Sequence, residues 1–160
     1  MKKNIFLILM VIWMAFIFSM SSQNSEVSSN TSGGTIKIVL STVPQFNEQP
    51  EEVQEEVVEE LQFITRKSAH FIAYMILGIL SIFLILEINK INKKPQFALL
   101  LCVLYAISDE IHQLFVPGRS GQFRDVLIDS AGSCVGIGIV LLVVKLLDMR
   151  RKNKNRIKSE

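Results

Sequence analysis

The chain has 160 residues, enough for one domain and too few for two ordinary ones. Apolar residues make up 49% against 20% charged, at a mean hydropathy of +0.37, which excludes a disordered chain; the charges are kept out of long blocks, which argues against an ordinary soluble globule. A net charge of +2 is too small for a nucleic-acid binder, and two cysteines cannot build a disulfide scaffold or a four-ligand zinc knot.

The first apolar block, Ile5 to Met20, follows Lys2 and Lys3. A basic start, an apolar stretch and the small residues from Ser19 to Ser22 also fit a cleaved signal peptide. Its length favours an uncleaved helix, and either way the segment after it lies outside the cytoplasm. That outer segment, 21–66, opens with SSQNSEVSSNTSGG, flexible by composition. In TIKIVLSTVP, Ile36, Ile38 and Leu40 alternate with polar or small residues, which suits a short strand or a helical turn. Glu48 to Arg66 then reads as an amphipathic helix, with Val53, Val57, Val58, Leu61 and Ile64 at helical spacing. Its other face carries Glu51, Glu52, Glu55, Glu56, Glu59 and Glu60. An anionic membrane surface would repel that face, so the apolar stripe is expected to rest on protein, either as plain packing or as a lid.

Three further apolar blocks follow: Ser68 to Leu86, Phe97 to Phe115 and Val126 to Leu147. Each of the four is close to the roughly 17–25 residues that cross a hydrocarbon core, where a helix is the only open-chain solution. The expected fold is therefore an all-α integral membrane protein in a single domain, 1–160. It has four transmembrane helices (about 5–20, 68–86, 97–115 and 126–147), with the acidic amphipathic helix outside, between the first and second. With the N-terminus inside, the cytoplasmic side holds twelve of the 17 Lys and Arg: Lys2, Lys3, Lys90, Lys93, Lys94 and the basic end from Lys145 to Lys158. The excess of cations inside places both termini, and the tail 148–160, in the cytoplasm of a multi-pass cell-membrane protein. The tail serves as a topology anchor or as a site for anionic lipid heads.

Ionisable residues within membrane helices usually face a bundle interior or a cavity. Here chain direction puts them in one layer, at the outer edge, apart from Lys145 at the inner end of the fourth span. Lys67, His70 and Tyr74 share a face at the start of the second span. Tyr105 and Asp109 share one with His112 or Gln113 at the end of the third, beside Glu110. Asp125 and Asp129 open the fourth, in line with Gly132 and Gly136. The loop PGRSGQFR adds Arg119 and Arg124, and its Pro117-Gly118 turn makes helices three and four antiparallel neighbours. Gly132, Gly136 and Gly138 form a small-residue pattern for close helix contact, and Cys102 and Cys134 read as small core residues.

Four uses of this layer are open. DExH lacks the pair of His one turn apart that zinc motifs supply, so no metal is assigned, although Asp109, Glu110, His112 and His70 include suitable donors. A carboxylate base with His70 or His112 as acid, and Arg119 or Arg124 on an oxyanion, would suit hydrolysis or group transfer. No serine or cysteine carries a nucleophile signature. The cations could instead hold an anionic headgroup or cell-wall precursor without turnover. The fourth use is a salt-bridge network of Lys67, Arg119 and Arg124 with Asp109, Glu110, Asp125 and Asp129 that only locks the helices.

FSMSSQ (18–23), RKSAHFIAYMILG (66–78) and YAISDEIHQLFVPGRSGQFRDVLIDSAGSCVG (105–136), in this order, resemble the VanZ-like family of small bacterial membrane proteins. The resemblance runs from about residue 16 to 145 and leaves 24–62 unmatched. It maps the family's motif positions onto Lys67, His70, Tyr74, Asp109, Glu110, His112, Gln113, Pro117, Gly118, Arg119, Asp125 and Asp129. It implies a cell-envelope role, with altered susceptibility to the glycopeptide teicoplanin as a consequence, and no defined reaction. The expected partners are the bilayer and an anionic lipid or cell-wall precursor, with no cofactor.

Overall fold

The computed structural model describes residues 2–23, 25–88 and 92–157, with side chains omitted for 25–32 and 156–157. Lys90 and Lys158 of the charge count lie outside the described residues. Among those residues all regular structure is helical: α1 Lys2–Ser21, α2 Ser25–Leu40, α3 Pro44–Asn47, α4 Glu51–Leu86, α5 Lys94–Gln113 and α6 Phe123–Ile157.

Three boundaries differ from expectation. Residues 25–34 of the Ser-rich stretch and TIKIVL are one helix, α2, rather than a flexible segment with a strand or turn. With no strand to pair with, the backbone groups of this segment are satisfied within a helix. The acidic amphipathic helix is not a separate element but the first half of α4, which runs 36 residues. Between Glu51 and Leu77 there is no Gly or Pro to break it, so the change from charged to apolar composition alters its surroundings and not its backbone. At about 1.5 Å per residue, α4 is roughly 54 Å long, well beyond a hydrocarbon core of about 30 Å. α6 likewise continues into the basic tail, which also lacks Gly and Pro.

By length and composition, α1, α4 and α6 are the helices able to cross a membrane. α5 is not among them, since Asp109, Glu110, His112 and Gln113 in its last turns reduce its hydropathy. The outward sides of α1, α5 and α6 are rich in exposed apolar residues, such as Ile5, Ile8, Ile12, Leu104, Leu142 and Leu147. Apolar surface of that extent suits a bilayer environment.

α4 and α6 form the closest helix pair, and small residues make the approach possible. A Cβ on Gly132 would stand 2.3 Å from the Phe71 carbonyl oxygen, one on Gly136 2.1 Å from that of Met75, and one on Gly78 2.4 Å from that of Ser133. Gly138, grouped with this pattern in the sequence, has nothing within 4 Å of its Cβ position, so it takes no part in the contact. α1 closes the bundle on α4 and α5: Trp13 Nε1 donates to the Ala73 carbonyl at 2.8 Å, and Tyr105 Oη donates to that of Met14 at 2.6 Å. Ile17, Tyr74, Leu77, Cys102, Ala106 and Val126 form the core next to the site. Ile82, Ile85, Ala98, Ile137 and Val140 form a second core toward the other end. Cys102 is buried against Ser81, while Cys134 is exposed on α6 and is not a core residue. α2 packs on the acidic half of α4, where Val58 is buried while Val53 and Ile64 stay exposed.

Candidate functional site

Helical spacing on α4 carries Arg66 and His70 along one face, with Lys67 and Tyr74 beside them. Antiparallel α5 brings the end of its chain, Asp109 to Gln113, to the same level. The turn after it needs a left-handed residue, and Gly118 adopts φ 74°. The chain then re-enters as α6 with Asp125 and Asp129 at its first turns.

These elements enclose a cavity of about 250 Å³. Phe63, Arg66, Lys67 and His70 line it from α4, and Asp125, Ile128 and Asp129 from α6. Gln113 and the loop residues Gly118, Arg119, Ser120 and Gln122 complete it. Lys67 Nζ is bonded to Asp125 Oδ1, so its charge is compensated. Arg66 and Arg119 have no ion-pair partner among the described residues. Arg119 is anchored by Nε donating to the Gln23 carbonyl at 2.9 Å. Burial, and then the neighbouring Arg66 guanidinium, lower the pKa of Arg119 from its ordinary value; an arginine nevertheless stays charged.

Below the cations sits a second layer. His70 Nδ1 lies 3.8 Å from Asp129 Oδ2. One donor atom each from His70, Asp109 and Asp129 lies within 4.8 Å of the other two. Asp129 is fully buried and Asp109 is 2% exposed, yet none of their four carboxylate oxygens has a hydrogen-bond partner. The hydroxyl of buried Tyr74 is also unpartnered. Buried polar groups are normally paired, so each of these orphans requires an explanation. Glu110 is better placed, with Oε2 accepting from the Gln122 backbone N–H at 2.7 Å, while its Oε1 has no partner.

The structure thus gathers Lys67, His70, Gln113, Arg119, Asp125 and Asp129 at the cavity, with Tyr74, Asp109 and Glu110 packed behind it. It does not bring His112 or Arg124 there. His112 packs on Phe18, ring centroids 4.3 Å apart, and its Nε2 lies 3.1 Å from Ser22 Oγ. Arg124 is exposed and does not line the cavity. Gln113 Nε2 donates to Ser21 Oγ at 2.9 Å, which joins α5 to α1 directly beside Asp109. Sequence reasoning missed Arg66, Ser21 and Gln122. Arg66 was accessible, since it stands one turn before His70 on the same face. Ser21 lies in the FSMSSQ stretch but carries no pattern of its own, and Gln122 acts through its backbone.

Fold and site together define a multi-pass helical membrane protein with a cationic cavity above a buried imidazole–carboxylate cluster. The VanZ/LLP1 family model matches residues 6–144, a span that contains every residue of the cavity, and the chain belongs to that family. No curated protein and no solved structure matches it.

Proposed function

We propose that the protein is a four-span cell-membrane protein with both termini cytoplasmic, which holds the phosphate of an anionic lipid or cell-wall precursor in its outward cavity. The observation that carries this reading is the pair Arg66 and Arg119. Two guanidinium groups converge on one half-enclosed space with no ion-pair partner among the described residues, and their mutual repulsion is relieved by an anion between them. α5 is the remaining span: its polar end is surrounded by α1, α4 and α6 rather than by lipid, which makes its lower hydropathy tolerable. The acidic half of α4, with α2 on it, stands on the outer side. Altered teicoplanin susceptibility is a consequence of engaging a cell-wall precursor there.

The test is binding of short-chain phosphatidylglycerol, a polyprenyl monophosphate and, as neutral control, short-chain phosphatidylcholine to the protein in nanodiscs. A phosphate-bearing probe is expected to bind, and Arg119→Ala or Arg66→Ala to weaken it about 10–100-fold, the value of a hydrogen bond to a charged group. Equal affinity for all three probes, or no effect of either substitution, rejects the reading. A second reading, a hydrolase or transferase acting on the same phosphate, is favoured by the imidazole and carboxylates at the cavity floor. It requires turnover of the bound probe that His70→Ala abolishes while binding survives.

A further inference from the structure

We infer that His70, Asp109 and Asp129 form a site for one divalent transition-metal ion, of zinc or manganese type, at the floor of the cavity.

The argument begins with charge. Two carboxylates are buried in an apolar bundle with no hydrogen-bond partner, an arrangement that is strongly unfavourable unless their charge is compensated. The cations nearby do not supply that compensation. Lys67 is bonded to Asp125, and Arg119 points its Nε to the Gln23 carbonyl. A protonated His70 facing Asp129 would neutralise one carboxylate and leave Asp109 bare. A divalent ion with a neutral imidazole neutralises both.

Geometry agrees. Each residue comes from a different helix, and their donor atoms lie within 4.8 Å of one another. Around a tetrahedral ion with bonds near 2.1 Å, donors stand about 3.4 Å apart, so side-chain rotations of roughly an ångström close the set. One imidazole with two carboxylates is a borderline-hard set, suited to zinc or manganese and unsuited to the soft ions that prefer thiolates. Because His70 and Asp129 also line the cavity, the ion is reachable from it and keeps a coordination position open toward it. The Tyr74 hydroxyl, buried on the same side and likewise without a partner, adds a third unsatisfied polar group to this region.

The inference does not depend on the cavity's anion. The full-length protein, purified in detergent and stripped with a chelator, is reloaded with Zn²⁺, Mn²⁺ or Co²⁺ in phosphate-free buffer. The expected result is one ion per chain, with a visible absorption spectrum for Co²⁺ and a melting temperature that rises with ion concentration. Asp129→Asn and His70→Ala each weaken uptake at least tenfold and abolish the thermal shift. Asp109→Asn, nearly isosteric and relieved of a buried charge, keeps the fold and does the same. His112→Ala, which removes the other imidazole, leaves uptake unchanged. Arg119→Ala retains the ion while losing any phosphate probe, so failure of the anion reading and failure of this one are separate results. Stripped wild-type protein that takes up less than a tenth of an equivalent overturns the inference. So does uptake that survives Asp129→Asn and His70→Ala together.

Discussion

Gly136→Ala tests the helix contact on which the site depends. The new methyl would stand 2.1 Å from the Met75 carbonyl oxygen, against an ordinary contact of 3.4 Å or more. The obstacle is backbone, not the end of a flexible side chain, so relief requires α6 to move from α4 by about 1.3 Å. Gly132 and Gly78 meet backbone just as closely, so the pair has no slack along this face. Two effects oppose each other. Alanine gains about 0.8–1.0 kcal/mol of helix propensity over glycine, while forcing volume into a packed contact costs about 1–3 kcal/mol. The second effect is the larger, and a net loss of up to about 2 kcal/mol is expected. Gly138→Ala is the internal control, because that position has nothing within 4 Å and keeps the propensity gain alone. Reversible unfolding in mixed micelles, followed by circular dichroism, should rank Gly138→Ala at or above wild type and Gly136→Ala below it. Displacement of α6 also carries Asp129 away from His70, so Gly136→Ala should reduce any ligand uptake at the site. A Gly136→Ala protein as stable as Gly138→Ala would refute the close approach of α4 and α6.

Three more outcomes are expected. Lys67→Met leaves Asp125 without its partner; both side chains are about one-fifth exposed, so the loss falls between exposed and buried pairs, about 1–2 kcal/mol by the same unfolding assay. Adding Asp125→Leu should recover part of it, since no charge is then stranded. Tyr105→Phe removes the bond from α5 to the Met14 carbonyl and should lower stability by about 1 kcal/mol without changing ligand affinity. For sidedness, cysteines replacing Ser120 and Asn92 in a background without Cys102 and Cys134 should label from outside intact cells at 120 and not at 92. Position 121 is a poor choice, because a Cβ there meets the Glu110 carbonyl oxygen at 2.6 Å.

How much of this was legible in the sequence depended on which physical constraint decided each element. Helix period and chain direction are properties of the chain itself, so the faces carrying His70, Asp109 and Asp129, and their common level, were readable. The irrelevance of Gly138 was readable too, being two residues from Gly136 and so on another side of α6. The unity of α4 was harder to see, because a charged stretch gives way to an apolar one near Arg66 without any residue that breaks a helix. Spacing also left His112 and Gln113 equivalent, three and four residues after Asp109. Contacts with α1, some ninety positions away, make the choice: Phe18 and Ser22 hold His112 outward, and Ser21 takes Gln113 inward. Of the donors inferred to hold a metal, His70 and Asp109 were already named as suitable ligands in the sequence and Asp129 was not. A motif search looks along one helix, whereas these donors come one from each of three.

α5 ties these features together. Its last turns hold Asp109, Glu110, His112 and Gln113, the residues that lower its hydropathy as a span. An isolated helix with such an end would be unfavourable in lipid. Within the bundle each polar group is handled differently. His112 lies on α1, Gln113 bonds Ser21, and Glu110 accepts the loop backbone at Gln122. Only Asp109 is left fully without a partner, and it is the one that faces His70 and Asp129. Were the polar end merely structural, Asp109 would be the residue to satisfy first, being the most deeply buried of the four. The bundle bonds its neighbours and leaves this carboxylate unpaired, which is the arrangement the inferred His70–Asp109–Asp129 metal site requires. Replacing Asp109 with Asn should accordingly leave stability unchanged or higher while ligand uptake falls, the opposite signs expected of a functional group and not of a packing one.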